Sequence, residues 1–263
     1  MTAKGFPLLT AFGIDARIHV IALVGAGGKT SLMYALAQEM VRAGKRAVST
    51  TTTKIFPPES PESPCLILLE DDPELKELPA SLSRFGHVTV ARKILNVGKL
   101  EGVTEATIVR CSEVADWVLV EADGAARKPV KAPESWEPAI PDCTNLVIPV
   151  VGLDCLGKPA TDEWAFRLEQ FLAVTGLAKG QLITPESLGR LLGGKQGGLQ
   201  GVPEGAKVIP FLNKLDLMDS PGHLDAIAKA VAMTAGDRVS RMVAGAVKGN
   251  IRTTTYAVTP MNE

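Results

Sequence analysis

Aromatic residues make up only 5% of this 263-residue chain while hydrophobic residues reach 46%, so its core must be built from aliphatic side chains. An excess of charge of either sign is also lacking. The formal net charge is −1, which removes the electrostatic case for nucleic acid or an acidic membrane surface as the main partner. No apolar run approaches the length that crosses a bilayer. The N-terminal stretch is too short in its apolar part, and charged too early, to read as a signal peptide, so the expectation is a cytoplasmic protein. Cys65, Cys111, Cys143 and Cys155 form no C-x-x-C pair, which argues against a structural zinc and against a disulfide framework. His19, His87 and His223 lie far apart in sequence, leaving a histidine metal site to tertiary proximity alone.

What the chain does have is a glycine-rich turn in one telling place. Ile18, Val20, Ile21, Leu23 and Val24 form a short apolar strand that runs into Gly25-Ala26-Gly27-Gly28-Lys29-Thr30-Ser31. Gly25, Gly27 and Gly28 allow the backbone to curl so that N–H groups converge on one oxyanion. Lys29 supplies a point charge for β- and γ-phosphates, and Thr30 a hydroxyl for Mg²⁺. Residues 31–41 read as a helix whose N-terminal dipole favours the same phosphates. Leu23 stands where the usual G-x-x-x-x-G-K-[ST] loop begins with glycine, so this is a shortened form, similar to the T-G-T-N-G-K-T loop of Mur-type ligases. A plain strand-to-helix turn with a solvated lysine is the competing reading, and it leaves the order of strand, glycines, Lys-Thr and helix unexplained.

Strand patterns then alternate with helical ones, which predicts a doubly wound, mostly parallel α/β sheet of the P-loop NTPase-like class. Strands are expected at residues 46–49, 65–69, 87–91, 117–120, 146–151 and 208–212, with helices at 72–85, at 161–175 and from Thr184-Pro185-Glu186 onward. Residues 57–64 read as a Pro-rich loop and 193–205 as a flexible glycine-rich one. A single domain over residues 1–263 is expected, with a small helical lobe inserted at about residues 152–205.

Four further constellations carry chemistry. In W-V-L-V-E-A-D-G-A, Glu121 and Asp123 sit at a strand end on one side of an extended chain. With Thr30 and substrate phosphates they suffice as oxygen ligands for Mg²⁺, and with Lys29 they are the catalytic candidates. A solvated strand end is the competing reading. Arg127, Lys128 and Lys131 follow, and fit either an anionic second substrate or a solvated basic loop. Asn213, Lys214 and Asp216 match the N-K-x-D element in which a carboxylate reads the guanine edge, or else cap a turn. Thr52, Thr53 and Lys54 close a threonine run that fits a switch segment or ordinary strand preference. Asp154, in a loop at the carboxyl end of a predicted strand, is a site candidate or a turn residue.

Together L-V-G-A-G-G-K-T-S, S-T-T-T-T-K, V-L-V-E-A-D-G-A-A-R-K-P-V-K-A-P, V-V-G-L-D-C-L-G-K-P and F-L-N-K-L-D resemble the YqeC family over about residues 15–220. The resemblance implies an accessory protein of selenium-dependent molybdenum hydroxylases, with molybdenum cofactor as a ligand and a molybdenum hydroxylase apoprotein as a partner. Where the family carries a His-Arg pair this chain has Phe166-Arg167, so the resemblance implies a phosphate or cofactor contact for Arg167 alone. Nothing in composition shows selenium or molybdenum; Cys155 is the one cysteine whose loop would face the site. The leading reading is a Mg²⁺-dependent nucleoside triphosphatase. A small-molecule kinase, nucleotidyltransferase or Mur-like ligase, and a non-catalytic nucleotide carrier, remain open beside it.

Overall fold

The computed structural model describes residues 6–60, 62–218, 220, 222–249 and 251–259. The first five residues of the N-terminal stretch and Pro61 of the Pro-rich loop lie outside them. The fold is mixed α/β with a large, mostly parallel sheet, as the alternation of strand and helix patterns predicts. Two compact units divide the chain. The first holds the chain up to Leu23, Thr30–Gly124 and Ala139–Leu146. The second holds Val24–Lys29, Ala125–Pro138 and everything from Val147 onward. One division therefore falls at the peptide bond between Lys29 and Thr30.

The first unit contains α1 (Pro7–Phe12), most of β1 (Val20–Gly25) and α2 (Lys29–Arg42), β2 (Ala47–Thr51), β3 (Lys54–Ile55), β4 (Leu66–Leu68), α3 (Leu78–Phe85), β5 (His87–Ala91), β6 (Leu100–Glu101), α4 (Glu105–Val114) and β7 (Trp117–Glu121). Its sheet runs β1-β7-β2-β5-β4, every neighbour parallel. Such strands are covered on both faces and carry apolar runs instead of alternation. Val20, Val48, Val88, Val90, Val118 and Val120 meet Leu78, Leu82, Ile108 and Cys111 in one aliphatic core. Antiparallel β3 and β6 form a separate two-stranded piece. Helix α1 has no side-chain cap of its own. The fully buried Glu39 of α2 supplies one, its carboxylate accepting the Leu8 amide at 3.0 Å and the Leu9 amide at 3.1 Å. Burial pushes that carboxyl's pKa up, and the two amides pull it part of the way back.

The second unit contains β8 (Val130–Lys131), all but the first residue of β9 (Leu146–Gly152), β10 (Ala165–Phe166), α5 (Leu168–Thr175), α6 (Pro185–Gly193), β11 (Lys207–Val208), β12 (Phe211–Asn213), α7 (Gly222–Ala235), β13 (Arg241–Ala246) and β14 (Arg252–Ala257). Strands run β14-β13-β12-β9, parallel except for the β13–β14 pair. Helix α6 starts with a full capping box between Thr184 and Ser187, as Thr184-Pro185 announces. It packs on α7 so closely that a Cβ on Gly189 would overlap the Ala230 side chain.

Several expected elements differ. Residues 72–77 are not helical, because the Asp72 carboxylate accepts the Lys76 and Glu77 amides and holds a turn. Residues 161–164 are turns and Ala165–Phe166 pair with β8, so only α5 of the long helix expected there exists. Pro210 cannot donate to a ladder, and the strand expected at 208–212 is split into β11 and β12. The glycines of 193–205 are not all there for flexibility: Cβ atoms on Gly197 and Gly198 would overlap the backbone of Leu191 and Leu192.

Candidate functional site

In the second unit, residues 24–29 curl as the glycines require. Gly25, Gly27 and Gly28 have φ of 88°, 83° and 121°, values that an L side chain rarely adopts. A Cβ on Gly27 would run into the Gly152 backbone, and one on Gly28 into the Asn213 amide. The loop therefore tolerates no side chains at these positions.

Two of the expected phosphate donors are already in use. The Ala26 amide donates to the Val150 carbonyl at 2.9 Å and the Gly27 amide to the Lys128 carbonyl at 3.0 Å. Those two amides are thereby unavailable to an oxyanion; the first turn of α2 follows at Lys29. Ser31, half-buried, belongs to that turn. Lys29 is 4% exposed and its ammonium donates to the Gly25 carbonyl at 2.6 Å, so the charge lies over its own loop.

The N-K-x-D element braces that loop. Asn213, buried at the end of β12, donates from Nδ2 to the Gly27 carbonyl at 2.8 Å. Lys214, in a left-handed conformation at φ 64°, donates to Asp154 Oδ2 at 2.6 Å. Its ammonium is thus tied to the loop that follows β9, and not stretched along a base plane. Asp216 is exposed in the short 3-10 turn Leu215–Leu217. Asp154 is thereby a partner of Lys214 beside Gly152, more than a turn residue.

The basic residues after Asp123 are divided in role. Lys128 donates to the Glu163 carbonyl at 2.9 Å. The Lys131 side chain is fully buried 2.9 Å from Glu137, a poor position for meeting a second substrate. Arg127 is exposed at φ 61°. Arg167 stacks on Phe166 at 4.9 Å, with Glu134 and Glu137 carboxylates 3.8 and 3.7 Å away. Its Nε is buried without a hydrogen-bond partner among the described residues. Trp136, between those two glutamates in sequence, is 71% exposed.

In the first unit, Thr30 Oγ1 donates to Glu121 Oε2 at 2.6 Å. Glu121 and Asp123 are both buried at the end of β7. Two carboxylates and a hydroxyl fall short of a complete metal cage, and no group of three or more His, Cys, Asp or Glu among the described residues could hold a metal by itself. This donor set fits Mg²⁺, a hard cation that keeps waters and takes substrate phosphates as ligands.

The threonine run has part of its hydroxyl groups committed to main-chain hydrogen bonds. Thr50 donates to the Val90 carbonyl and Thr52 to the Ala139 carbonyl, each at 2.7 Å. The Thr53 amide donates to Thr51 Oγ1 at 3.0 Å, and Lys54 is exposed in β3. The hydroxyls of Thr50 and Thr52 tie strand ends to neighbouring backbone. A threonine in the last place of a strand beside one that ends in glutamate was the available signal.

Two comparisons bear on this geometry. A family profile described as "YqeC protein" matches residues 21–169, from the loop strand to the start of α5. "Uncharacterized protein YqeC" of Escherichia coli (strain K12) is 35% identical over 213 residues, covering 79% of this chain and 80% of that protein. The chain belongs to the YqeC family. The matched segment includes the loop, the threonine run, Glu121, Asp123, the basic stretch, Asp154 and Arg167, and stops short of Asn213. In this YqeC chain Cys155 is fully buried, and burial raises its pKa and keeps it the neutral thiol, which weighs against a nucleophilic role. No helix among the described residues is long and apolar enough to cross a membrane.

Proposed function

We propose that this YqeC protein binds a nucleoside triphosphate with Mg²⁺ and hydrolyses it to nucleoside diphosphate and phosphate. The observation that carries the reading is the 2.6 Å bond from Thr30 Oγ1 to Glu121 Oε2. It joins the residue after a phosphate-loop lysine to a buried strand-end carboxylate, and such a pair would supply oxygen ligands of the kind that Mg²⁺ takes alongside a nucleotide. Thr30, Glu121 and Asp123 would hold the cation, which when bound neutralises charge on the phosphate oxygens. Lys29, adjacent to Thr30 in the chain, is assigned to the charge that develops as water attacks phosphorus and the bridging P–O bond breaks.

The use of this hydrolysis in maturing the cofactor of a molybdenum hydroxylase, in the cytoplasm and with the apoenzyme as partner, is proposed from the family resemblance. Arg167 favours a second reading. A guanidinium with a buried, unpartnered Nε and ion pairs of 3.7 and 3.8 Å among the described residues suits an anionic acceptor, as in a kinase, a nucleotidyltransferase or a Mur-like ligase.

A panel of nucleotides with Mg²⁺, with products separated by chromatography in the presence and absence of purified molybdenum cofactor, tests these readings. Phosphate release with nucleotide alone supports hydrolysis, and turnover only with an added acceptor supports transfer. Tight binding without turnover makes the protein a carrier. Glu121→Ala and Asp123→Ala are each expected to raise the half-saturating Mg²⁺ concentration about tenfold, roughly 1.4 kcal/mol, and to move the nucleotide requirement less. Parent-like Mg²⁺ titrations for both would make the carboxylates structural.

A further inference from the structure

Thr51 is the fully buried last residue of β2, and in the parallel ladder it stands opposite Glu121. Its hydroxyl donates to the Glu121 carbonyl at 2.7 Å and accepts the Thr53 amide at 3.0 Å. Proton and lone pair are both committed, so the hydroxyl has one orientation. The same carbonyl accepts the Thr52 amide at 3.2 Å, and the following amide, of Ala122, donates to Leu23 at 3.0 Å. The peptide plane between Glu121 and Ala122 is therefore held at its oxygen from two directions and at its nitrogen from a third.

A β-ladder needs only one donor on that oxygen, and Thr52 provides it. Valine would fill the place of Thr51 with the same shape and without a buried hydroxyl that must find a partner. The extra bond fixes the main chain from which the Glu121 carboxylate projects.

We infer that Thr51 is a positioning residue for the Mg²⁺ carboxylate: by clamping the Glu121 carbonyl it aims the side chain at Thr30. The inference rests on the reading of Glu121 as a Mg²⁺ ligand given above.

The test compares the full-length parent with Thr51→Val, which keeps shape and branching, and Thr51→Ser, which keeps the hydroxyl. Phosphate release is followed against free Mg²⁺ at saturating nucleotide, and against nucleotide at saturating Mg²⁺. Thr51→Val should raise the half-saturating Mg²⁺ concentration about fivefold and move KM for nucleotide less than twofold, with Thr51→Ser close to the parent. A Thr51→Val chain that melts earlier yet titrates with Mg²⁺ like the parent overturns the positioning role. Hydrogen exchange at the Ala122 amide gives a readout that needs no turnover. It should speed up severalfold in Thr51→Val relative to other β7 amides, and an unchanged rate overturns the clamp. A parent without phosphate release and without nucleotide binding counts against the phosphate-loop reading, while the exchange experiment still decides the clamp.

Discussion

At the scale of single residues, Lys29 and the N-K-x-D element make the sharpest expectations. The Lys29 side chain is buried with its ammonium on the Gly25 carbonyl of its own loop, so Lys29→Ala removes packing and a loop hydrogen bond along with the charge. It should lower the melting temperature modestly while lowering phosphate release by at least 10²-fold, the scale of losing one preorganised charge contact, roughly 3–4 kcal/mol. Retained phosphate release would end the phosphate-loop assignment. For N-K-x-D, the hydrogen bond from Asn213 to Gly27 and the Lys214–Asp154 pair draw two of the three motif residues away from a base. Asn213→Ala should therefore weaken all four nucleoside triphosphates alike through the loosened loop. Asp216→Asn discriminates GTP from ATP only if the exposed Asp216 carboxylate reads guanine, at roughly 1.5–3 kcal/mol for a charged hydrogen bond. Measuring all four nucleotides on the parent and both variants separates a brace from a base reader.

At the scale of elements, Gly189 sets how closely α6 and α7 pack. Alanine is normally the better helix former by about 1 kcal/mol. At this position its Cβ would overlap Ala230 and crowd the Ile227 carbonyl, so overlap outweighs propensity. Gly189→Ala should lower stability by roughly 1–3 kcal/mol in denaturant titration, and a stabilised variant would show that the helices can move apart. Elements bounded by clear chemistry were legible in the sequence. β5 is a compact run rich in β-branched residues after a left-handed Gly86, and α6 announces itself by Thr184-Pro185. Where local composition competed with tertiary pairing it misled. Trp164, Leu168, Phe171 and Leu172 have helical spacing, which carries a helix through Phe166, yet Phe166 pairs with Lys131 across β10 and β8. Asp72 opens a run of helix-forming composition and instead folds its own carboxylate onto two amides. In the candidate site, the residue types of Thr30 and Glu121 were legible from motif spacing. The use of the Ala26 and Gly27 amides by Val150 and Lys128 was not, since those carbonyls come from more than a hundred residues away.

For the whole molecule, acid should be felt through His87. Its ring is 3% exposed, with Nε2 2.9 Å from Ser49 Oγ, and Ser49 Oγ in turn 2.9 Å from Thr89 Oγ1. Burial lowers its pKa to about 4 from the ordinary 6.5. Above 6.5 the imidazole is neutral in folded and unfolded chains alike and pH has no leverage. Between 6.5 and 4 the unfolded chain takes up a proton that the folded chain refuses, and stability falls by about 3 kcal/mol in all. Denaturant titrations at pH 7 and pH 4.5 should show this loss in the parent and a smaller one in His87→Gln, whose amide can still reach Ser49. Equal losses would place the acid sensitivity elsewhere. A different consequence follows from Trp136. The chain has three tryptophans: Trp117 is 7% exposed, Trp164 lies half-buried beneath the Lys158 ammonium, and Trp136 is 71% exposed. Its indole is thus a natural fluorophore in water, on the same short loop as the two carboxylates that face Arg167. Iodide is expected to quench Trp136 more than the buried Trp117, so the quenched fraction of the emission reports on this loop without any label being attached.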